Sequence, residues 1–192
     1  MQKLYEWTMS KARHRHAVRW LALLSFLESS MFPIPTDIML IPMVLADRAK
    51  AWYYASITTI SSVLGAVLGY VIGAFFFDVI GQPLIDFYGY QEAFDSFQGT
   101  YAEWGVLIVL IGGLTPIPFK VITIASGVFG LNPLVFFASA IAARAPRFFI
   151  EAALLWKYGE PINDFIEKRL PLVMTGFVVI IIGGFFALKF VG

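Results

Sequence analysis

The sequence predicts an all-α polytopic membrane protein, built as an inverted repeat of a re-entrant helical hairpin plus a transmembrane helix, with a C-terminal transmembrane helix. Three observations lead to this prediction. Apolar residues make up 59% of the 192 positions and charged residues only 14%, fewer than in a soluble domain. Several apolar runs approach the roughly 20 residues that a helix needs to cross a bilayer. Two of these runs are interrupted by Pro-x-Pro.

In chain order, a single membrane domain divides into seven segments. They are a basic amphipathic arm (1–19), a first re-entrant hairpin (20–46), a transmembrane helix (51–77), an acidic external connection (78–103), a second re-entrant hairpin (104–131), and transmembrane helices at 133–156 and 171–190. The arm is too polar to be the apolar core of a cleavable signal peptide.

The two hairpins are predicted from prolines inside apolar runs. Each half of an interrupted run holds about 10–13 residues, or roughly 15–20 Å of helix, which reaches about midway through the hydrocarbon core. Proline removes a backbone donor and disfavours helix for the residue before it. We therefore expect breaks at Pro33 and Pro35, and again at Pro116 and Pro118, with each pair of half-helices entering and leaving on the same side.

The two breaks resemble each other in sequence. FPIPTDIMLI (32–41) aligns without gaps with TPIPFKVITI (115–124), so that Asp37 and Lys120 occupy equivalent positions. One crossing separates the two units, which inverts the second relative to the first. Interrupted segments at matching positions of an inverted repeat are typical of a transporter site. A pseudo-twofold axis would bring Asp37 and Lys120 towards each other at the midplane.

Six charged residues fall within apolar segments: Glu28, Asp37, Lys120, Arg144, Arg147 and Glu151. Each costs about 2.5–3.5 kcal/mol at a helix centre, so a functional role is the default interpretation. The last three share one helix face, beside a kink expected at Pro146. A salt-bridge network that only holds the repeats together is the alternative, and it stays open above all for Arg147 and Glu151 as an intrahelical pair.

We predict that Lys120, Arg144 and Arg147 bind the substrate. Half-helices that begin after Pro35 or Pro118 direct unpaired N–H groups and a positive dipole end at a cavity, which suits an anion, and nearby arginines suit phosphate. Glu28, Asp37 and Glu151 are then predicted to gate the site or to exchange protons. A stripe of small residues (Ser61, Gly65, Gly69 and Gly73) predicts close helix packing in the first span.

The distribution of charge predicts the orientation in a bacterial inner membrane. Seven of the 14 basic residues lie within the first fifty positions, and there is none from 51 to 119, where acidic residues cluster. Because short basic loops stay in the cytoplasm, we place the arm and the 157–170 loop inside and the 78–103 connection outside. The chain has no cysteine, and we find no motif for catalysis, metal or cofactor binding, or nucleic acid.

Three motifs resemble the DedA family, also described by its VTT domain, and most of all its shorter YqaA-like branch. They are FLESSMFPIPTDIMLIPMVLA (26–46), G-x-x-x-G-Y-x-x-G (65–73) and GGLTPIPFKVITIASGVFG (112–130), and with their spacing they cover most of residues 20–158. The resemblance implies facing re-entrant hairpins and lipid translocation: undecaprenyl phosphate or phosphatidylethanolamine in bacterial relatives, often with proton dependence, and phospholipid scrambling in eukaryotic ones.

Carried over by residue, the family's acidic pair in the first hairpin matches Glu28 and Asp37, at a shorter spacing. The family's second hairpin has an arginine before its proline and another after it. Here Gly113 stands at the first position and Lys120 approximately at the second, so Arg144 and Arg147 are expected to supply the missing positive charge.

The sequence thus predicts a flippase-like or scramblase-like transporter whose partners are phosphate-bearing membrane lipids, with proton coupling and self-association left open. The alternatives are a proton-coupled carrier of a small ion, a membrane enzyme acting on lipid phosphates, and a structural assembly factor. The enzyme lacks an evident nucleophile–base pair, and the assembly factor would use its intramembrane charges for pairing alone.

Overall fold

The structure, a computed structural model, describes residues 16–30, 35–89, 91–115 and 118–159, with isolated positions at 169, 172, 175, 176 and 179. The described residues are helical, and no strand occurs among them. The helices are α1 (Ala17–Ser30), α2 (Asp37–Ala46), α3 (Ala51–Phe76), α4 (Gln82–Tyr88), α5 (Gln91–Leu114), α6 (Phe119–Val128) and α7 (Pro133–Tyr158). A 3-10 turn (Arg48–Lys50) precedes α3 and a π-helical turn (Phe77–Gly81) follows it. The all-helical class is confirmed.

Three stretches within these helices are long and apolar enough to cross a membrane: Arg48–Phe76, Phe94–Leu114 and Pro133–Tyr158. The first overlaps the span predicted at 51–77 except for residue 77, and the third contains the span predicted at 133–156. The helix predicted at 171–190 and the arm at 1–15 lie outside the described residues. Helix α7 continues through Pro146 without interruption, although a proline inside a helix removes one backbone hydrogen bond.

Both apolar runs that contain Pro-x-Pro are divided between two helices. Helix α1 ends at Ser30 and α2 begins at Asp37, while α5 ends at Leu114 and α6 begins at Phe119. The helices that follow the breaks, α2 and α6, have 10 residues each. At 1.5 Å per residue, each is roughly 15 Å long, about half of the hydrocarbon thickness.

The helix that precedes the second break is longer than predicted. It does not start at residue 104 but belongs to the 24-residue helix α5, which begins at Gln91 within the predicted acidic connection. The physical reason is an aromatic face: the rings of Phe94, Phe97 and Tyr101 stack on Phe129, with centroids 5.3, 6.4 and 5.1 Å away. This i, i+3, i+7 spacing keeps the segment helical, so its acidic residues do not end the helix.

The two long helices α3 and α7 pack against each other and carry the remaining helices. Helix α1 packs on α3, and α2 packs on both α3 and α7. Helix α5 packs on α7, and α6 packs on α3. Both interrupted pairs therefore contact both long helices, and the first helix of each pair packs on the long helix that follows it in the chain.

Glycines on α3 permit this close packing. A Cβ atom at Gly65 would collide with the backbone carbonyl of Phe26 on α1, and one at Gly73 would collide with that of Ile124 on α6. At Gly69 the added atom would meet the side chain of Thr123, also on α6. The small-residue face of α3 thus lies against one limb of each interrupted pair, as close backbone approach requires.

Candidate functional site

Five charged side chains meet where the interrupted helices contact α7, and we call them the central charge cluster: Glu28, Asp37, Arg144, Arg147 and Glu151. Arg144 and Arg147 are the twelfth and fifteenth of the 26 residues of α7. At 1.5 Å per residue they lie roughly 17–21 Å from the start of this helix. The arginines therefore lie near the middle of a helix that is long enough to span.

Arg144 is the most deeply buried member of the cluster, with a side chain 1% exposed. Its Nη2 donates to Glu28 Oε2 at 2.5 Å, and its Nε donates to Ser62 Oγ at 2.7 Å. The Ser62 hydroxyl also lies 2.7 Å from that of Ser29. This single guanidinium thus joins α1, α3 and α7.

Aromatic rings complete the surroundings of Arg144. Its guanidinium carbon lies 4.9 Å from the ring centre of Phe119 and 4.6 Å from that of Phe148, and both side chains are buried. Ring faces attract cations, and this attraction strengthens where water is excluded. Because Phe119 begins α6, the second interrupted pair also reaches the cluster.

Glu28 accepts a second hydrogen bond, from the residue that precedes α2. Thr36 Oγ1 donates to Glu28 Oε2 at 2.9 Å. Thr36 stands at the N-cap position of α2 yet makes no side-chain capping bond there, since its hydroxyl is directed to Glu28. The carboxylate therefore ties the two limbs of the first interrupted pair together across the Pro-x-Pro break.

Arg147 forms a second, more accessible ion pair. Its Nη2 lies 3.3 Å from Asp37 Oδ2, and its Nη1 donates to the carbonyl of Thr115 at 3.4 Å. The side chains of Arg147 and Asp37 are 19% and 32% exposed. Arg147 thus holds the first residue of α2 and the end of α5 through long, partly exposed contacts. The ion pair expected within α7 to Glu151 is not made, since Arg147 reaches Asp37 across the helices instead.

Glu151 is 2% exposed, and its Oε1 has no hydrogen-bond partner among the described residues. The same is true of Asp37 Oδ1. Buried carboxylate oxygens are normally hydrogen-bonded, so two such oxygens in one cluster need an explanation. The described residues contain no group of three or more metal-binding side chains of the kind that would supply one.

The other predicted site residues lie at the breaks. Lys120 is partly buried in the first turn of α6, next to the Phe119 ring that contacts Arg144. Asp37, which occupies the equivalent position in the repeat, forms its ion pair with Arg147. Pro118 directly precedes the first residue of α6, and Pro35 lies two residues before the first residue of α2, whereas Pro33 and Pro116 lie outside the described residues.

Several uncharged residues of the site were not predicted from the sequence: Ser29, Thr36, Ser62, Thr115, Phe119 and Phe148. Two signals in the sequence point to part of this set. Ser29 adjoins Glu28, and Ser62 lies three residues before Gly65, on the face of α3 that the small residues occupy. A buried guanidinium has five N–H donors that need hydrogen-bond acceptors. Small hydroxyl residues on the facing helices could therefore have been predicted as its partners.

These helices, with charges buried between them, define a polytopic membrane protein. The model of the VTT domain matches residues 34–157, and the chain belongs to this family, also called the DedA family. The match begins after Glu28 and includes the other four members of the cluster. The family consists of membrane proteins of transporter type rather than of enzymes.

Relatives of similar length are known. The chain is 35% identical over 186 residues to an uncharacterized protein of Haemophilus influenzae, covering 97% of this chain and 96% of that one. It is 34% identical over 186 residues to one of Histophilus somni, covering 97% of each. An uncharacterized protein of Methanocaldococcus jannaschii is 32% identical over 109 residues, which are 56% of this chain and 64% of that one. No solved structure matches significantly.

Proposed function

We propose that this protein is a membrane lipid transporter of the flippase or scramblase type. A phosphate-bearing head group, such as that of undecaprenyl phosphate or a phospholipid, passes through a polar cavity between the two hairpins while the acyl chains stay in lipid. The observation that carries this proposal is the pair of arginines near the middle of α7, both held by carboxylates of the first hairpin.

The chemistry of arginine supports phosphate as the substrate group. A guanidinium binds carboxylates and phosphates with the same planar, forked set of donors. The contact of Arg147 with Asp37 is long, at 3.3 Å, and partly exposed, so this carboxylate is the one that a phosphate can replace most readily. Asp37 then acts as a gate, since its release also frees the start of α2.

Arg144 and Lys120 serve the later stages of passage. Arg144 is enclosed by Glu28, Ser62 and two rings, so a phosphate reaches it only after the first hairpin moves. Lys120 lies in the first turn of α6, the second limb of the opposite hairpin, and directly follows Phe119, which contacts Arg144. A head group leaving Arg147 thus meets further positive charge towards the second hairpin.

The reciprocal packing of the helices supports the inverted repeat and the re-entrant hairpins. The first limb of each pair lies on the long helix that follows it, and the second limb reaches the other long helix, although α2 also packs on α3. Two copies of one unit related by a twofold axis would exchange their second limbs in this way. Together with the half-length helices α2 and α6, this pattern favours breaks near the midplane, where transporters place their sites.

The proposed orientation has the N-terminus in the cytoplasm of a bacterial cell and the protein in its inner membrane. The start of α3 and the end of α7 lie side by side, with ring centroids of Trp52 and Trp156 6.2 Å apart. Exposed basic residues (Arg48, Lys50 and Lys157) flank these aromatic residues. Basic residues next to interfacial tryptophans are typical of a cytoplasmic membrane surface.

The proposal is tested by lipid translocation in liposomes that contain the purified protein and a fluorescent phospholipid or polyprenyl phosphate. Arg147→Ala combined with Lys120→Ala should reduce the translocation rate to that of protein-free liposomes. Arg19→Ala, which removes an exposed arginine at the start of α1, is the matched control and should leave the rate unchanged. Equal rates for the two variants would contradict the proposal.

A further inference from the structure

We propose that Glu151 binds the proton that sets the state of the central charge cluster: it is protonated while Arg147 holds Asp37, and its ionisation draws Arg147 away and opens the start of α2. This inference deepens the proposed function, which gives the opening its purpose. No role in phosphate binding requires Glu151, and its burial with an unpartnered oxygen is otherwise unexplained.

The central charge cluster has more acidic than basic side chains. The cluster contains three carboxyl groups, of Glu28, Asp37 and Glu151, but only two arginines. Glu28 and Asp37 accept hydrogen bonds from Arg144 and Arg147. An ionised Glu151 would then add a third, buried negative charge to the cluster. Its Oε1 would have no hydrogen-bond donor among the described residues. Such a charge is far more costly to bury than a neutral carboxylic acid.

Charged groups from three helices surround Glu151. They are Asp37 on α2, Glu28 on α1, and Arg144 and Arg147 on its own helix. Two carboxylates close together do not both stay ionised readily in a dry site. Asp37 accepts from Arg147, whereas Glu151 Oε1 has no donor among the described residues, so we assign the proton to Glu151.

Arg147 also has an alternative carboxylate partner on its own helix. Glu151 lies four residues after Arg147 on α7, a spacing at which an arginine and a glutamate can pair on one helix face. When the proton leaves Glu151 for water, the full negative charge stands one turn from a guanidinium whose bond to Asp37 is long. Arg147 can then exchange Asp37 for Glu151, and Asp37, freed from its partner, no longer anchors the start of α2 to α7.

Labelling of a cysteine at the start of α2 tests this exchange without lipid transport. The chain has no natural cysteine, so Met39→Cys provides a single buried thiol two residues after Asp37, and Val135→Cys, on α7, provides an exposed reference. Maleimide reacts with thiolate in water, so each labelling rate is divided by the thiolate fraction of that variant at the same pH, and the ratio of the two corrected rates reports water at the start of α2. We expect this ratio to rise several-fold as the pH rises across the ionisation of Glu151.

Glu151→Gln is the decisive variant, because glutamine resembles the protonated acid. It should hold the ratio at its low value at every pH, whereas Glu103→Gln, which changes an exposed glutamate on α5, should behave as the parent protein. A ratio independent of pH in the parent protein, or an equal rise in Glu151→Gln, would overturn the proposal.

Infrared spectroscopy of the parent protein provides a second test, which remains if Glu151→Gln does not fold. A carbonyl band of a protonated carboxyl group should be present at neutral pH and should lose intensity over the pH range in which the labelling ratio rises. Absence of this band would overturn the inference. Loss of lipid transport alone would not, because neither measurement depends on a lipid substrate.

Discussion

Arg144 and Glu28 lie 116 positions apart in the chain, and their side chains form the shortest ion pair of the described residues, with Nη2 2.5 Å from Oε2. The contact joins the middle of α7 to the last turns of α1. It also bridges the first Pro-x-Pro break, because Thr36 donates to the same carboxylate oxygen. One buried pair thus connects α7 to the helices on both sides of that break.

Replacing Arg144 with methionine should strongly destabilise the protein. The change leaves the Glu28 carboxylate without its charged donor in a largely buried site, and breaking a buried ion pair costs about 3–5 kcal/mol. Chemical unfolding in detergent micelles measures the change in free energy of unfolding. Lys157→Met removes an exposed cation from the same helix and should cost no more than about 0.5 kcal/mol. Equal effects would show that the buried pair does not stabilise the fold.

Ser62→Ala should destabilise the protein more than Ser61→Ala, although the two residues are neighbours on α3. Ser62 is fully buried and accepts from Arg144 Nε, whereas Ser61 is partly exposed. Loss of a buried acceptor leaves a charged donor unsatisfied, which costs about 1–3 kcal/mol. The same unfolding measurement checks this difference, and a larger effect at Ser61 would contradict the placement of Arg144.

Gly65→Ala should destabilise the protein even though alanine is the better helix former. Its added Cβ would collide with the backbone of Phe26, and overpacking of this kind costs about 1–3 kcal/mol. Gly99→Ala is the matched control, since a Cβ there meets nothing within 4 Å, and it should stabilise α5 by up to about 1 kcal/mol. Thermal unfolding of both variants measures the two changes in stability. An increase in stability for both variants would rule out the close contact of α1 and α3.

The orientation predicts opposite labelling of two engineered cysteines. Lys157→Cys lies at the end of α7, and Gly99→Cys lies on the exposed part of α5. A membrane-impermeant maleimide added to spheroplasts should label Gly99→Cys and spare Lys157→Cys, and inside-out vesicles should give the reverse. Labelling of both cysteines from the same side would reject the orientation inferred from the basic residues.

How much the sequence reveals depends on the kind of signal. Pro-x-Pro breaks and the charges in α7 were predictable, because proline geometry and the cost of a charge in lipid act locally. The length of α5 was not, since aromatic contacts to Phe129 keep its acidic first half helical. The partner of Arg147 was not predictable either: helix periodicity favoured Glu151, but packing of α2 on α7 brings Asp37 within reach.

The central claim is that a phosphate-bearing lipid binds at the cluster, and native mass spectrometry of the purified protein tests it most directly. We expect the parent protein to retain a lipid whose mass and fragmentation show a phosphate group. Arg147→Gln should lose this lipid, whereas Arg19→Gln should keep it. Equal retention by both variants, or retention only of lipids without phosphate, would contradict the claim.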